Sequence, residues 1–362
     1  MASQVTNYKC IACGGPLHFD SETQKLKCDY CGSLYTNEEI EELYAAKTEA
    51  AIQANQELLD SFDVLHFTDE EMAHLHAYSC PSCGAELICD DTTAATSCPY
   101  CGNNTVVPAQ VSGALKPDYI IPFKLDKEDA MQRLKKFYLG KPLLPTVFTT
   151  QNHIEEIKGI YVPFWLYDGT AKANMSYRAT KSHSYTTADE NITVVEHYHV
   201  KRSGSVSFRH VPADASIKMP DEFMDALEPF HSEDLVAFQM SYMPGYFADR
   251  YDVSVEENAS RVETRMSNTA CQKIKETAVG YTTLVPEVEQ LHLKKESVNY
   301  AFFPIWLLTT RWNGKSYMFA MNGQTGKMVS DDLPVDNVKF AIWFIGLAVL
   351  FASIIFGLFY LF

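Results

Sequence analysis

The stretch CPSCGAELICDDTTAATSCPYCG, residues 80–102, repeats a pattern that the chain has already used in CIACGGPLHFDSETQKLKCDYCG, residues 10–32. Aligned without gaps at an offset of 70 residues, the two stretches agree at ten of twenty-three positions, and six of these matches are not cysteine. A match that extends beyond the cysteines indicates an internal repeat. The chain therefore carries the same small module twice.

Each module contains two C-x-x-C pairs that are separated by fourteen residues. Such a pair turns the backbone so that two thiolates converge on one ion, and a second pair beside it completes a tetrahedral four-cysteine zinc site. Because four protein ligands leave no open coordination position, both zinc sites are predicted to be structural rather than catalytic. The predicted ligands are Cys10, Cys13, Cys28 and Cys31 in the first ribbon and Cys80, Cys83, Cys98 and Cys101 in the second.

Two other uses of paired cysteines fit the chain less well. Disulfide frameworks are typical of secreted proteins, and the N-terminal residues MASQVTNYKC lack the charged and apolar regions of a signal peptide. A thioredoxin-like redox site needs a βαβ context, which the pattern around these pairs does not provide. The remaining cysteines, Cys89 and Cys271, are interpreted as small apolar residues.

The C-terminal stretch FAIWFIGLAVLFASIIFGLFYLF, residues 340–362, contains no charged residue. A helix of this length, at about 1.5 Å rise per residue, spans the hydrocarbon layer of a bilayer, which is about 30 Å thick. The sequence therefore predicts one transmembrane helix over residues 339–362, with a buried core helix as the alternative. Cysteines that bind metal need a reducing compartment, so the bulk of the chain is predicted to face the cytoplasm from the cell membrane.

The distribution of charge bears on the partners of the chain. The sequence has 30 basic and 46 acidic side chains, a formal net charge of −16. Between Lys47 and Lys116 there are ten acidic residues and no basic residue, so the second ribbon lies in an acidic segment that repels phosphate. This pattern favours a protein partner over nucleic acid, and it leaves a purely structural role of the ribbons open.

The cysteine modules and the apolar C-terminus predict a multidomain α+β protein. Capping boxes at Thr36–Glu39 and Thr68–Glu71 predict that helices begin there. Further helix caps at Asp126 and Ser254 alternate with strand-like runs. The predicted segments are zinc ribbon 1 over 1–36, a helical linker over 37–66, zinc ribbon 2 over 67–110, a larger mixed α+β domain over 111–335 and the transmembrane helix over 339–362.

A fainter repeat marks the start of three strands in the α+β domain. The segments YIIPFKL (119–125), YVPFWLY (161–167) and FFPIWLL (302–308) share an aromatic residue, a proline and an apolar run. A proline is tolerated at the entry of a strand, where no ladder donor is needed. We interpret the three segments as related strand openings and expect two similar halves in this domain.

Two functions other than protein docking remain as alternatives. A nucleic-acid-binding membrane protein linked to replication or transcription would use the first ribbon, where Lys9, Lys25 and Lys27 nearly balance the acidic residues. A metalloenzyme would use His197 and His199, which fall on one face of a strand. No third ligand is evident, and the chain has no G-x-S-x-G, phosphate-binding glycine-rich loop or H-E-x-x-H motif. We therefore identify no catalytic residue or small-molecule substrate and do not expect an enzyme.

Four longer motifs follow the ribbons: KMPDEFMDALEPF (218–230), YMPGYFADRYDV (242–253), FFPIWLLTTRW (302–312) and YMFAMNGQTGKMVSDDLP (317–334). With the paired ribbons and the terminal apolar helix, they resemble a group of bacterial proteins common in Firmicutes, labelled "TFIIB-type zinc ribbon-containing" or "double zinc ribbon" membrane proteins. Some members are labelled helicase-like or phage replisome-like, but this chain has no Walker A motif.

The resemblance implies zinc-ligand roles for the eight paired cysteines and, from some relatives, a link to membrane-organising scaffold proteins of the SPFH class. Combined with the charge pattern, it leads to one main hypothesis. The protein is expected to be a tail-anchored, cytosol-facing membrane adaptor whose two zinc ribbons dock a protein partner, with an SPFH-type scaffold as a candidate partner.

Overall fold

In the computed structural model, the described part of the chain comprises residues 65–361 with gaps at 94–96, 104–106, 110–114 and 187–189, together with scattered positions before residue 43. Those positions are 10, 12, 17–20, 23, 25–28, 31–36, 39, 40 and 42. Most of the predicted helical linker therefore lies outside the described residues. Its predicted capping box is present, because Glu39 N donates to Thr36 Oγ1 at 3.0 Å and Thr36 N donates to Glu39 Oε2 at 2.8 Å.

The first ribbon contains a small antiparallel sheet formed by β1 (Leu17–Asp20), β2 (Lys25–Cys28) and β3 (Leu34–Tyr35). Strand β2 is central and alternates between exposed and buried positions, which is typical of a strand with one covered face. Among the residues that the structure describes, its buried side chains form a cluster with residues of the same ribbon and with Ile40 at the start of the predicted linker. The members of this cluster are Cys10, Leu17, Leu26, Cys28 and Ile40.

The other described strands form one 11-stranded sheet. The main path has the strand order β10-β7-β12-β8-β11-β5-β4-β6, with β9 paired to β8, β13 paired to β12, and β14 paired to β13. The bounds are β4 (Leu75–Ser79), β5 (Glu86–Asp90), β6 (Val107–Ala109), β7 (Tyr119–Ile120), β8 (Lys158–Thr186), β9 (Asn191–Asp214), β10 (Val236–Ala237), β11 (Phe247–Asp249), β12 (Thr283–Trp312), β13 (Lys315–Asn322) and β14 (Met328–Ser330).

Helices cover this sheet or extend from it. The longer predicted ones begin at the expected caps, because the side chain of Asp126 accepts a hydrogen bond from Asp129 N and Ser254 forms a capping box with Glu257. The helices are α1 (Asp69–Ala73), α2 (Lys127–Leu139), α3 (Gln151–Ile154), α4 (Asp221–Leu227), α5 (Val255–Glu276) and α6 (Asn337–Leu361). Thr68 and Glu71 form the predicted capping box of α1.

The three proline-containing segments lie side by side in the sheet. In strand β12, Phe302 is paired with Ile120 of β7 on one side and with Pro163 of β8 on the other. The pairing places the aromatic and apolar residues of all three segments in the centre of the sheet, where Trp165 and Tyr161 are fully buried. The prediction that these segments open strands holds for β7, which begins at Tyr119, and approximately for β8, which begins at Lys158. It is wrong for FFPIWLL, which lies near the end of β12 because that strand already begins at Thr283. The predicted similarity of two halves stays a prediction.

The strands β8, β9 and β12 are unusually long, with 29, 24 and 30 residues. At about 3.3 Å per residue, β8 is roughly 95 Å long, so the three strands continue well beyond the centre of the domain. Helix α5 packs on one face of this extension and buries Ile274 against Met175 and Tyr177 of β8. Gly204 of β9 permits the close approach, since a Cβ there would lie 2.5 Å from Ile274 Cδ1.

The strands of the second ribbon belong to the large sheet. Strand β5 pairs with β4 on one side and with β11 on the other, where Ile88 is opposite Ala248 and Leu87 is opposite Asp249. The four cysteines of this ribbon lie in the same hydrophobic cluster as Ile160 and Phe303 of the central strands. The predicted division near residue 110 separates two sequence segments, but the hydrogen-bonded sheet and the core continue across it.

The turn in MNGQTG connects β13 to β14 and also contacts a second motif. The buried Asn322 side chain accepts hydrogen bonds from Gln324 N and Thr325 N and donates to Leu227 O at 3.0 Å. Gln324 Oε1 accepts from His231 N at 2.8 Å. The turn thereby holds the segment that follows α4, and Met224 and Leu227 of α4 are buried.

The apolar C-terminal stretch forms α6, which begins two residues before the predicted start. The earlier start follows from Asp336, whose Oδ1 accepts hydrogen bonds from Val338 N at 2.9 Å and Lys339 N at 3.2 Å. The window Asn337–Phe356 is long and apolar enough to cross a membrane, and none of it is buried against the rest of the described chain. A core helix of a folded domain would be mostly buried.

Candidate metal centres

The four cysteines of the second ribbon converge at one point. Cys80 Sγ lies 3.6 Å from Cys101 Sγ, and Cys83 Sγ lies 3.6 Å from Cys98 Sγ. All four sulfur atoms lie within 4.8 Å of one another, and the four residues are between 0 and 3% exposed. A disulfide has a sulfur–sulfur distance of about 2.05 Å, so these cysteines are thiols that share a site.

The geometry of this cluster fits a tetrahedral zinc ion. With zinc–sulfur bonds of about 2.3 Å, the edge of a four-sulfur tetrahedron is about 3.8 Å. The observed separations of 3.6 Å are close to this edge. Cys80, Cys83, Cys98 and Cys101 could therefore hold one metal ion, and four thiolates are the donor set that zinc prefers in structural sites.

The local backbone explains why the knuckles place the sulfurs in this way. Gly84 N donates to Cys80 O at 2.8 Å and Gly102 N donates to Cys98 O at 2.9 Å, which closes a tight turn in each knuckle. Gly84 and Gly102 adopt φ values of 67° and 65°, a conformation that disfavours residues with a Cβ. Gly32 repeats the turn in the first ribbon with φ 74° and a hydrogen bond from its N to Cys28 O.

Side chains from distant strands hold the second ribbon from outside. Thr309 Oγ1 donates to Tyr100 O at 2.7 Å, and the Arg311 guanidinium donates to Cys101 O at 2.8 Å. Lys218 Nζ donates to Cys83 O at 3.3 Å. Thr309 and Arg311 stand about 210 positions from their partners, so no local spacing rule connects them. The only sequence feature that pointed to these three residues is that they lie in the motifs FFPIWLLTTRW and KMPDEFMDALEPF.

A buried polar network connects the second ribbon to strand β11. Tyr100 OH donates to Asp249 Oδ2 at 2.7 Å, and Ser216 Oγ donates to the same oxygen at 2.6 Å. Burial, followed by the charge of Asp252, raises the pKa of Asp249 to about 7. Burial also raises the pKa of Tyr100, so its hydroxyl remains a donor. Tyr100 matches Tyr30 in the sequence repeat, but no local pattern in the sequence connects it to Asp249.

The thiols of this cluster influence one another strongly. Hydrogen bonds from Cys101, then from Cys83 and Cys98, lower the pKa of Cys80, whereas hydrogen bonds to Cys101, Cys80 and Cys98 raise the pKa of Cys83. One thiolate thus stabilises the protonated form of its neighbour. A bound cation replaces these shared protons, which makes metal binding dependent on pH.

The described cysteines of the first ribbon form a similar group. Cys10 Sγ lies 3.5 Å from Cys31 Sγ, and Cys28 completes a set of three ligand atoms within 4.8 Å of one another. The fourth predicted ligand, Cys13, lies outside the described residues. Unlike the four cysteines of the second ribbon, Cys31 is exposed, and its Sγ lies 3.1 Å from Ser33 Oγ.

The other titratable candidates are not joined to either cluster. His197 and His199 lie on exposed positions of β9, and His199 Nε2 is 3.7 Å from Glu287 Oε2. Within the described residues, only the two cysteine clusters bring together at least three potential metal ligands. Cys89 is buried, and its burial, followed by the charge of Asp90, raises its pKa to about 11. The thiol therefore behaves as the small apolar residue that was expected, and Cys271 is partly buried.

Comparison with known proteins identifies a full-length relative. No protein-family model matches the chain, and no solved structure matches it. The chain is similar to "Uncharacterized protein YdjG" of Bacillus subtilis (strain 168), with 34% identity over 345 residues, which cover 95% of this chain and 94% of the relative. Because this similarity covers nearly the full length of both proteins, the chain belongs to the same family as the Bacillus subtilis protein YdjG.

Proposed function

We propose that this protein is a tail-anchored membrane adaptor whose N-terminal zinc ribbon docks a protein partner on the cytoplasmic side. In this proposal both cysteine clusters bind zinc, but they serve different purposes. The second ribbon stabilises the α+β domain from within its core, and the first ribbon is the docking module. Helix α6 crosses the membrane and holds the assembly there.

The observation that carries the proposal is the difference between the surroundings of the two clusters. The second ribbon has cysteines that are at most 3% exposed, and residues of β11 and β12 occupy its hydrogen-bonding groups. The described buried cluster of the first ribbon includes only ribbon residues and Ile40 of the linker, and Cys31 is exposed. Because this module does not contribute to the domain core, more of its surface is available to bind another molecule.

The chemistry of both clusters favours binding over catalysis. A four-cysteine zinc site has no open coordination position for water or substrate. The first ribbon has no excess of basic residues, and the net charge of −16 disfavours nucleic acid as the docked partner. A protein of the SPFH scaffold class remains the candidate partner that the family resemblance implied.

The proposal is tested by comparing partners of the full chain in solubilised membranes after proximity labelling. Cys28→Ser/Cys31→Ser is expected to lose partners that the wild type labels, because the first ribbon no longer folds around its metal. The membrane level of the variant and its domain unfolding temperature are expected to remain unchanged. An unaltered set of partners in this variant would exclude docking through the first ribbon.

The same preparation separates the alternatives. Partners that disappear after nuclease treatment, together with binding that weakens on changing Lys9, Lys25 and Lys27 to Ala, would favour nucleic acid. Metal analysis is expected to find two zinc ions per chain. A third metal that is lost in His197→Ala would instead favour a metal site in the α+β domain.

A further inference from the structure

The start of helix α6 is hydrogen-bonded to a distant loop of the α+β domain. Asp336 N donates to Leu143 O at 2.8 Å, and Lys339 Nζ donates to Leu144 O at 2.6 Å. These bonds attach the loop after α2 to the turn from which the apolar run departs. If α6 crosses a membrane, as proposed above, then this loop lies at the membrane surface.

The loop is packed against helix α2, so its exposed side chains have a fixed orientation relative to the domain. Leu144 and Phe148 are buried in one cluster with Leu134 and Tyr138 of α2. Hydrogen bonds from Lys141 N to Tyr138 O and from Leu144 N to Lys141 O close the turn between helix and loop. The part of this segment that points away from the core is therefore held next to the beginning of α6.

The exposed residues of this segment combine apolar and basic side chains. Leu139 is 82% exposed at the end of α2, and Val147 is also exposed. Lys136 lies one helical turn before Leu139 on the same exposed face, and Lys141 follows in the turn, where its Nζ lies 4.6 Å from the centre of the Phe137 ring. We define the juxtamembrane surface as Lys136, Leu139, Lys141 and Val147.

The charge of this segment differs from that of the whole chain. From residue 130 to residue 154 there are four basic residues and no acidic residue, in a protein with a net charge of −16. The connector before α6 adds three acidic residues, Asp331, Asp332 and Asp336, and the start of α6 adds one basic residue, Lys339. With the four basic residues of the segment 130–154, the local balance is still basic.

We propose that the juxtamembrane surface binds anionic lipid headgroups of the membrane that α6 crosses. Leu139 and Val147 would contact the acyl–headgroup boundary, while Lys136 and Lys141 pair with phosphate groups. This contact deepens the proposed function, on which it rests, because it fixes the domain at the surface instead of leaving it on a free tether. Basic residues near an anionic leaflet are attracted only within about 10 Å, so the position next to α6 is essential.

The test uses the full chain in nanodiscs and follows amide hydrogen exchange of residues 135–147. Exchange is expected to be about threefold to tenfold slower in discs with phosphatidylcholine and phosphatidylglycerol at 7:3 than in discs of phosphatidylcholine alone. The difference should disappear in Lys136→Glu/Lys141→Glu and weaken at high salt. The matched control, Lys201→Glu/Lys294→Glu, makes the same charge change at exposed positions of β9 and β12 and should retain the difference.

Equal exchange of the wild type in both kinds of disc, or an equal loss in the control variant, would overturn the proposed lipid contact. Incorporation into discs is scored separately by size-exclusion chromatography. A chain that fails to incorporate would contradict the transmembrane role of α6 itself. A chain that incorporates without a lipid-dependent difference contradicts only the contact proposed here.

Discussion

The two cysteine ribbons of this protein share their cysteine spacing but differ in what surrounds them. In the second ribbon, strand β5 continues the large sheet through β11, and the four cysteines lie in the core of the α+β domain. In the first ribbon, the described strands form a sheet of their own, and the cluster around Cys10 and Cys28 contains no described residue from the domain. Duplication of one module has produced one part of a core and one separate unit.

This difference shows that a metal motif does not define the role of its module. Zinc in a small isolated ribbon supplies most of the folding free energy of that ribbon alone. If the second ribbon binds zinc, as proposed above, the metal also supports the strands that pair with the ribbon and the buried groups that face it. If the surroundings decide the role of each site, the two sites should contribute differently to the stability of the α+β domain.

The largest effect is expected when one ligand of each site is removed. Cys83→Ser should lower the unfolding temperature of the α+β domain by about 10 °C or more, equivalent to about 5 kcal/mol, or prevent folding, because the buried cluster loses its metal. Cys28→Ser should leave the unfolding temperature of the domain unchanged. Near-UV circular dichroism of the full chain in detergent measures both, and metal analysis should find one zinc ion per chain in each variant. Equal destabilisation by the two variants would contradict the comparison.

A smaller effect is expected from the tyrosine that both modules share. Tyr100→Phe removes the donor to the buried Asp249 and should cost about 2 kcal/mol in the free energy of unfolding. Tyr30→Phe, at the position that matches it in the repeat, serves as the control and should leave domain stability within about 0.5 kcal/mol of wild type. Denaturant unfolding of both variants provides the measurement. A similar loss in the two variants would mean that Tyr100 has no special role in the domain.

The buried carboxyl group of Asp249 predicts a pH dependence that is specific to the second ribbon. Its pKa is raised from 3.8 to about 7 in the folded protein, so the unfolded chain releases this proton first as pH rises. Stability from this group is therefore lost between about pH 4 and pH 7. Asp249→Asn keeps a hydrogen-bond acceptor for Tyr100 and removes the charge, so it should gain on the order of 1–2 kcal/mol at pH 8 relative to wild type.

The measurement is thermal unfolding between pH 5.5 and pH 8, a range in which zinc thiolates persist. The advantage of Asp249→Asn should grow with pH across this range. A constant or shrinking difference would show that Asp249 is ionised in the folded protein. A matched variant, Asp332→Asn at an exposed position, should show no growing advantage.

The smallest effect concerns the rate at which each site loses its metal. Cys31 is exposed, whereas the cysteines of the second ribbon are buried. A chelator should therefore remove zinc from the first ribbon about tenfold faster, which corresponds to a difference of about 1.4 kcal/mol in activation free energy. A colorimetric chelator should record two phases of equal amplitude, and Cys28→Ser should retain only the slow phase. A single phase in the wild type would indicate that burial does not protect the second site.

Much of the local structure could be predicted from the sequence because short-range physics determines it. The capping boxes at Thr36, Thr68 and Ser254 are present, and the convergence of the described paired cysteines follows from knuckle geometry. The apolar C-terminal helix was predicted to within two residues at its start. Each of these features depends on residues a few positions apart or on one repeated spacing.

The long-range organisation was not predictable in the same way. The bond from Arg311 to Cys101 and the bond from Tyr100 to Asp249 connect residues more than 140 positions apart. No periodicity marks such pairs in a single sequence. The repeated proline segments gave a partial signal, since they indicated related strands without showing that the three strands are adjacent.

The sequence by itself determined the eight paired cysteines, the caps and the apolar length of the C-terminal helix, because each depends on local stereochemistry or on composition. Only the tertiary structure decided that the second ribbon would become part of the domain core. Strand pairing through β11 and hydrogen bonds from β12 surround that ribbon with residues from the far end of the chain. Burial is a property of the folded whole, and two modules with the same ligands can therefore have different roles.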